Sequence, residues 1–163
     1  MSDEKEVKEL DGRLGDYKTK VKTDTRGILV WEKDLIFTGR TSTGYAIEFD
    51  AKVEWGCMPT ESLMLSLAGC MAIDSVSFLQ KMKCEFDEFK LEITGERNET
   101  PPQYFRSMHM KLMMKGQGFS DKKVQRAIDL SQDKYCSVYH SLRPDMKVTV
   151  SYVINDGEEV TAK

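Results

Sequence analysis

The chain has 163 residues, of which 40% are hydrophobic and 31% charged, and its net charge is −3 at neutral pH. This length and composition are typical of one soluble globular domain with a sizeable core. The acidic balance argues against nucleic-acid binding, which normally needs a basic surface. The charged N-terminus lacks the apolar segment of a secretory signal, and no apolar run is long enough for a membrane span. We therefore expect a cytoplasmic protein that binds neither nucleic acid nor membrane.

The first third of the chain predicts a tail followed by strands. Residues 1–15 are polar and predict a flexible N-terminal tail, which precedes a single domain over residues 16–155 and a polar C-terminal tail over residues 156–163. Short β-rich segments separated by turn residues predict an antiparallel meander. These segments cover residues 17–22, 27–31, 35–37 and 45–51.

At Pro59 the hydrophobic period changes to three or four residues, which predicts a long helix with Thr60 as its N-cap and an end near Lys83. This helix is apolar on nearly every side, so it should be buried. Two strands follow, over residues 89–96 and 105–115. A second helix, capped by Ser120 and ended by Pro144, precedes a last strand over residues 147–154.

This order of elements is typical of an α+β fold rather than of a doubly wound sheet. One small domain has too little sheet to cover so apolar a helix. We therefore expect a homodimer in which helices and sheets of two chains enclose each other.

The cysteines are the residues most able to carry chemistry; they are Cys57, Cys70, Cys84 and Cys136. Cytosolic thiols are kept reduced, so a disulfide framework is not expected. The chain has no C-x-x-C, no paired histidines and no nucleotide-binding motif, so the sequence predicts neither a metal site nor a cofactor. Cys70 in the long helix and Cys136 in the second helix have two interpretations. They are packed core residues, or they form a redox pair in which one thiolate attacks and the other thiol resolves the product.

A carboxylate stands one turn from the first of these thiols. Asp74 follows Cys70 by four residues on the same helix face, where its favoured interpretation is a structural bond to an arginine or a backbone amide. A carboxylate raises the pKa of a neighbouring thiol, whereas an arginine stabilises the thiolate. The candidate activators are therefore the arginines at positions 26, 40, 97, 106 and 143.

The remaining candidates are weaker. The methionine run between residues 108 and 114 predicts core packing, with a pliable lining for an apolar ligand as the alternative. His109 falls on the polar face of its strand. His140 follows Cys136 by four residues, but neither histidine has a pattern that favours a catalytic role.

Two segments together resemble the cysteine motifs of the OsmC/Ohr family. The segment PTESLMLSLAGC resembles the start of the family's central helix, where a proline precedes a cysteine by eleven residues, as Pro59 precedes Cys70. The segment KYCSV, which contains Cys136, resembles the family's second motif. The order of strands and helices also fits, and the similarity covers residues 25 to 155.

The resemblance implies an intertwined homodimer with long buried helices enclosed by curved antiparallel sheets. It also implies a thiol peroxidase in which Cys70 attacks an organic hydroperoxide and becomes a sulfenic acid. Cys136 would then condense with Cys70 to a disulfide. A dithiol reductant, which is a lipoylated protein in one branch of the family, would restore both thiols and so protect against oxidative stress.

The resemblance also selects the residues that support the thiolate. Arg40 is the closest match to the family's activating arginine, and Glu61 to the carboxylate that holds it. In peroxidase branches this glutamate follows the proline directly, whereas here Thr60 has that position and Glu61 comes one residue later. Ser137 stands where the second motif usually has proline. The alternative is an OsmC-like binding protein that holds a small apolar ligand at the dimer interface without peroxidase activity.

Overall fold

The computed structural model describes residues 23–163. The predicted tail over residues 1–15 and the predicted strand over residues 17–22 lie outside these described residues. The elements in chain order are β1 (Gly27–Lys33), β2 (Ile36–Thr41), β3 (Ala46–Asp50), α1 (Pro59–Lys81), β4 (Glu85–Arg97), β5 (Phe105–Gln117), α2 (Asp121–Leu130), a π-helical turn (Ser131–Tyr135), α3 (Ser137–His140), β6 (Lys147–Ile154) and β7 (Val160–Thr161). This arrangement confirms the α+β class. Among the described residues one compact unit ends at Leu63 and a second begins at Met64.

The N-terminal unit contains the predicted antiparallel meander, in the order β1-β2-β3. After β3 the chain turns around Asp50, which is 2% exposed. The Asp50 carboxylate accepts backbone N–H bonds from Lys52, Glu54 and Trp55 at 2.9 to 3.1 Å. These bonds, with that of Lys52 the largest contribution, lower the pKa of Asp50. The carboxylate thus orders the loop that leads to α1.

Helix α1 begins two residues earlier than an N-cap at Thr60 predicts. Pro59 is its first residue, a position where the missing N–H of proline costs nothing. The Glu61 carboxylate accepts a hydrogen bond from the Met58 N–H at 2.8 Å. The prediction of Thr60 as N-cap is therefore wrong, and Glu61 closes the first turn instead. The helix ends at Lys81, and Lys83 with φ of 62° turns the chain out of the helix.

Helix α1 is also the one helix of the described chain with the length and hydropathy of a membrane span. Core helices of soluble proteins pass the same test. Several α1 side chains lie in the hydrophobic core, which agrees with that second interpretation.

The C-terminal unit contains a four-stranded sheet in the order β4-β5-β6-β7. Strands β4 and β5 pair antiparallel, as do β6 and β7, but β5 and β6 pair parallel. The prediction of antiparallel pairing therefore fails at β5 and β6. The helical segment between these strands returns the chain to the end of the sheet where β5 began, which parallel pairing requires. The predicted polar tail over residues 156–163 is partly ordered, since β7 pairs with β6.

The core of this unit lies between the sheet, α1 and α2. Its largest contribution from the sheet comes from alternate residues of β5, which are 0 to 1% exposed: Met108, Met110, Leu112 and Met114. This burial confirms that the methionine run is core. It removes the observation that motivated a methionine-lined ligand pocket.

Candidate functional site

The segment that carries Cys136 differs from the continuous helix that the sequence predicts. Helix α2 begins after Ser120, whose hydroxyl accepts the Lys123 N–H as predicted. It is ten residues long, ends at Leu130 and is followed by the π-helical turn. Cys136 then has φ of −73° and ψ of 94°, an extended conformation, before the short helix α3. The prediction of one helix that continues to Pro144 is therefore wrong.

This interruption decides where the Cys136 side chain lies. In a straight α-helix, Cys136 would lie five residues beyond Ser131 and about 140° around the axis from it. Instead the Cys136 N–H donates to the Ser131 carbonyl at 2.8 Å, a bond that widens the last turn. The extended Cys136 backbone follows, and the side chain is 0% exposed in the core. Single-turn π-helices often mark functional sites.

Cys70, Asp74 and Cys136 come together in the C-terminal unit. One ligand atom from each, the two sulfurs and a carboxylate oxygen, all lie within 4.8 Å of one another. Cys70 and Asp74 are one turn apart on α1, so they share a helix face. Both thiols are free rather than joined in a disulfide. Two residues that the sequence singled out as a pair are thus neighbours in space.

The two thiols have different surroundings. Cys70 is partly buried, whereas Cys136 has no exposed surface. Burial raises the pKa of Cys136 to about 12, and the hydrogen bond with the Cys70 side chain and the Asp74 carboxylate act in the same direction. The Tyr139 N–H donates to the Cys136 sulfur at 3.4 Å and opposes this rise in pKa. Cys136 is therefore a neutral thiol at physiological pH, and Cys70 is the sulfur with access to solvent.

Asp74 is held by a partner that the sequence did not predict. Its Oδ2 accepts a hydrogen bond of 2.8 Å from the Ser131 hydroxyl, and the two residues are 1% and 0% exposed. The expected partners were an arginine or a backbone amide. The signal that the sequence offers for Ser131 is its helical spacing from Val124, Ala127 and Ile128, which puts it on the buried face of the second helix. A serine there is uncommon unless its hydroxyl has a buried acceptor.

Arg40 and Glu61 belong to the N-terminal unit. Arg40 is exposed on β2, paired with Ile28 on β1 and Ala46 on β3. Glu61 is exposed at the start of α1, where one carboxylate oxygen caps the Met58 N–H. Their roles in activating Cys70 remain predictions.

The other two cysteines have separate partners within the described chain. Cys57 is partly buried and its sulfur lies 3.7 Å from the Glu48 carbonyl, to which it donates. Cys84 is buried and donates to the Gly118 carbonyl at 3.3 Å. Neither sulfur is a member of the cluster around Cys70.

The histidines also lie apart from the cluster. His140 is exposed and contacts the Tyr139 ring. His109 lies on the β5 face opposite the methionines, with ring nitrogens 2.8 Å from the Thr149 hydroxyl and 3.0 Å from the Ser151 hydroxyl. Ser151 in turn donates to Glu159. This polar network holds the sheet together and was not predicted from the sequence.

Comparison with known proteins shows which family the chain resembles. The model of the family described as OsmC-like protein matches residues 50–151. The chain belongs to the OsmC-like family. Protein YhfA from Escherichia coli is 34% identical over 125 residues, which cover 76% of this chain and 93% of YhfA.

Solved structures of other proteins share the architecture. A hypothetical protein from Aquifex aeolicus has a TM-score of 0.75 and 26% identity, over 84% of this chain and all of that protein. An organic hydroperoxide resistance protein OsmC from Legionella pneumophila has a TM-score of 0.57 and 12% identity, over 82% of this chain and 98% of that one. At this identity the second comparison supports the fold alone.

Proposed function

We propose that this protein is a cysteine-based peroxidase that reduces organic hydroperoxides, with Cys70 as the attacking thiolate and Cys136 as the resolving thiol. The observation that carries the proposal is the proximity of the two sulfurs, within 4.8 Å, in a cluster partly open to solvent. The resemblance of the two cysteine motifs to those of the OsmC/Ohr family motivates the same reaction, and one solved structure with this fold is named for resistance to organic hydroperoxides.

The surroundings of the thiols support this division of roles. A hydroperoxide must reach the attacking sulfur, and Cys70 is the more exposed of the pair. The Cys70 thiolate attacks the distal peroxide oxygen, the O–O bond breaks, and the alkoxide leaves as an alcohol after it takes a proton. The peroxide gains two electrons and Cys70 becomes a sulfenic acid. Cys136, buried and with its pKa raised to about 12, remains a thiol during this step.

To form the disulfide that resolves the sulfenic acid, the Cys70 and Cys136 sulfurs must move closer together. A disulfide bond is about 2.05 Å long, so the sulfurs approach by less than about 3 Å from their separation of at most 4.8 Å. The Cys136 sulfur attacks the Cys70 sulfur and the hydroxyl leaves as water with the Cys136 proton. A dithiol, proposed to be a lipoylated protein, then reduces the disulfide by thiol–disulfide exchange and is itself oxidised.

Arg40 and Glu61 are proposed to stabilise the thiolate form of Cys70 in the assembled protein. A fixed guanidinium charge stabilises a thiolate, and a carboxylate that binds the guanidinium orients it. Glu61 already caps the Met58 N–H, so it would serve both partners through different oxygens. We further propose that the protein works in the cytoplasm, where dithiol reductants maintain the thiols.

The assembled protein is proposed to be a homodimer. Leu65 and Ile73 of α1 are each 60% exposed, although the helix is apolar enough to need burial. Gly69 lies between them on the same face, and an added Cβ there would meet no atom within 4 Å. Such a face suits the close approach of a second helix. Ile73→Asp should therefore convert the dimer to monomer in size-exclusion chromatography with light scattering.

The peroxidase proposal is tested in a Cys57→Ser/Cys84→Ser background, which leaves only the proposed pair of thiols. One equivalent of cumene hydroperoxide should remove both free thiols and form the Cys70–Cys136 disulfide, seen by peptide mapping. Cys136→Ser should still consume one equivalent and give a sulfenic acid that dimedone traps. Cys70→Ser should consume none. If Cys70 stays reduced under peroxide, or Cys70→Ser keeps its turnover, the proposal is wrong.

The same preparation tests the alternative of a ligand-binding protein. Native mass spectrometry of freshly purified protein would then show a bound small molecule that survives in Cys70→Ser. A bound species together with unreactive thiols would favour that function over peroxide reduction.

A further inference from the structure

Cys70, Asp74 and Cys136 present three ligand atoms of the kind that bind thiophilic divalent metals. We propose that the reduced protein binds one Zn²⁺-like cation through the two sulfurs and one Asp74 oxygen. The proposal goes beyond peroxide reduction and does not depend on it, because it concerns only the reduced thiols. The sequence does not predict such a site, because its cysteines lack a zinc-like spacing, but the fold brings together donors that no linear motif joins.

The distances between the donors fit such a site after a small contraction. A tetrahedral zinc ion with Zn–S bonds of about 2.3 Å separates its two sulfurs by about 3.8 Å, and an oxygen bound at about 2.0 Å lies about 3.5 Å from each sulfur. The three donor atoms here lie within 4.8 Å of one another, so no pair needs to close by more than about 1.3 Å. Changes in side-chain rotation at Cys70 and Asp74 supply movements of this size.

The backbone of the site comes from two separate elements. Cys70 and Asp74 stand one turn apart on α1, a spacing at which two side chains of one helix bind the same ion. Cys136 comes from the junction between the π-helical turn and α3, where its extended backbone directs the sulfur into the core. Anchoring on both elements gives the site a rigid frame.

Neighbouring groups already hold two of the ligands. The Ser131 hydroxyl donates to Asp74 Oδ2 at 2.8 Å, and the Tyr139 N–H donates to the Cys136 sulfur at 3.4 Å. Hydrogen bonds of this kind orient metal ligands, and loss of one typically lowers affinity about 10- to 100-fold.

The donor set selects the class of metal. Two thiolates and one carboxylate suit Zn²⁺ and the similar Co²⁺ and Cd²⁺, whereas Mg²⁺ and Ca²⁺ prefer oxygen ligands alone. Both sulfurs bind the ion as thiolates, so binding releases the Cys136 proton, and the dication offsets the negative charge of the buried ligands. Three protein ligands leave a fourth position, which the partial exposure of Cys70 leaves open to water or a small ligand. A bound ion would hold both sulfurs, so it would slow their oxidation.

The test is a titration of the fully reduced protein with Co²⁺ under anaerobic conditions, in the Cys57→Ser/Cys84→Ser background. We expect one equivalent per chain, with a thiolate-to-cobalt charge-transfer band, and displacement of the cobalt by Zn²⁺. X-ray absorption of the zinc form should give two sulfurs at about 2.3 Å. Cys70→Ser and Cys136→Ser should each lower the affinity by at least about 100-fold and lose roughly half of the band.

Two further variants distinguish the contribution of the Asp74 carboxylate to metal affinity from a loss of affinity caused by misfolding. Asp74→Asn should weaken Zn²⁺ at least about 10-fold in competition with a chromophoric chelator, as should Ser131→Ala. The matched control is Asp129→Asn on α2, which should bind like the parent. Circular dichroism and thermal unfolding identify a variant that fails to fold, in which case Ser131→Ala and the cysteine variants carry the test.

The proposal is overturned if the reduced protein binds less than a tenth of an equivalent of Co²⁺ at micromolar excess. It is equally overturned if binding persists without loss in a Cys70→Ser/Cys136→Ser variant. No peroxide is present in either measurement, so these results are independent of the peroxidase test. A protein that binds zinc but does not reduce peroxide would retain this proposal and remove the other one.

Discussion

The bond between Ser131 and Asp74 should contribute measurably to stability, because it satisfies a carboxylate inside the core. The two residues are 0% and 1% exposed and their bond is 2.8 Å long. Hydrogen bonds to a charged group contribute about 1.5–3 kcal/mol, and a buried acceptor that loses its donor keeps its full desolvation cost. Ser131→Ala should therefore lower the free energy of unfolding by about 2 kcal/mol.

Urea unfolding of the reduced protein, followed by circular dichroism at one fixed protein concentration, measures this loss. With a slope of roughly 2 kcal/mol per molar urea, the midpoint should fall by about 1 M. The control is Ser141→Ala, since the exposed Ser141 hydroxyl donates to the Ser137 carbonyl at 2.7 Å. That change should cost less than about 0.5 kcal/mol.

A double-mutant cycle with Asp74→Ala assigns the loss to the bond itself. If the bond carries the effect, Ser131→Ala should cost little in the Asp74→Ala background, and the coupling should be at least about 1 kcal/mol. An equal cost in both backgrounds would mean that the hydroxyl acts by packing alone. A midpoint for Ser131→Ala that moves no further than that of Ser141→Ala would refute the reasoning.

Three further predictions concern the core, a turn and an unused thiol. Met110→Ala, at a position 0% exposed, should cost about 2–5 kcal/mol in urea unfolding, whereas half-buried Met113→Ala on the other face of β5 should cost clearly less. Gly116→Ala combines a φ of 142° with a clash against the β4 backbone, so its thermal midpoint should fall further than that of Gly44→Ala, which has φ of 92° and open space. Equal effects at the two glycines would contradict the clash. Burial raises the pKa of the Cys84 thiol, so less thiolate forms near pH 8, and mass spectrometry should find iodoacetamide labelling slower in the native than in the urea-unfolded chain.

Local patterns were sufficient to predict the types of the elements. The alternation over β5 gave a strand with one buried face, and the burial of its methionines confirms that face. The change of period at Pro59 predicted α1, and Ser120 predicted the start of α2. These features depend on residues within a few positions of each other, so the sequence alone contains their cause.

Local sequence patterns predicted only part of the candidate site. The motifs identified Cys70 and Cys136, but their meeting depends on the π-helical turn and on the extended backbone of Cys136. A continuous helix satisfies local propensity equally well, so only packing against the rest of the core selects the interrupted form. The contact of Asp74 with Ser131 and the parallel pairing of β5 with β6 were missed for the same reason.

Local patterns were thus enough to assign the helices and strands, to find the apolar face of each, and to single out Cys70 and Cys136. Tertiary structure decided that two sulfurs and a carboxylate from segments far apart in the chain share one cluster within 4.8 Å. The physical reason is that periodicity encodes the burial of a face, whereas the distance between two buried side chains depends on how separate elements pack. Proximity among Cys70, Asp74 and Cys136 is what permits both disulfide formation and metal binding to be proposed.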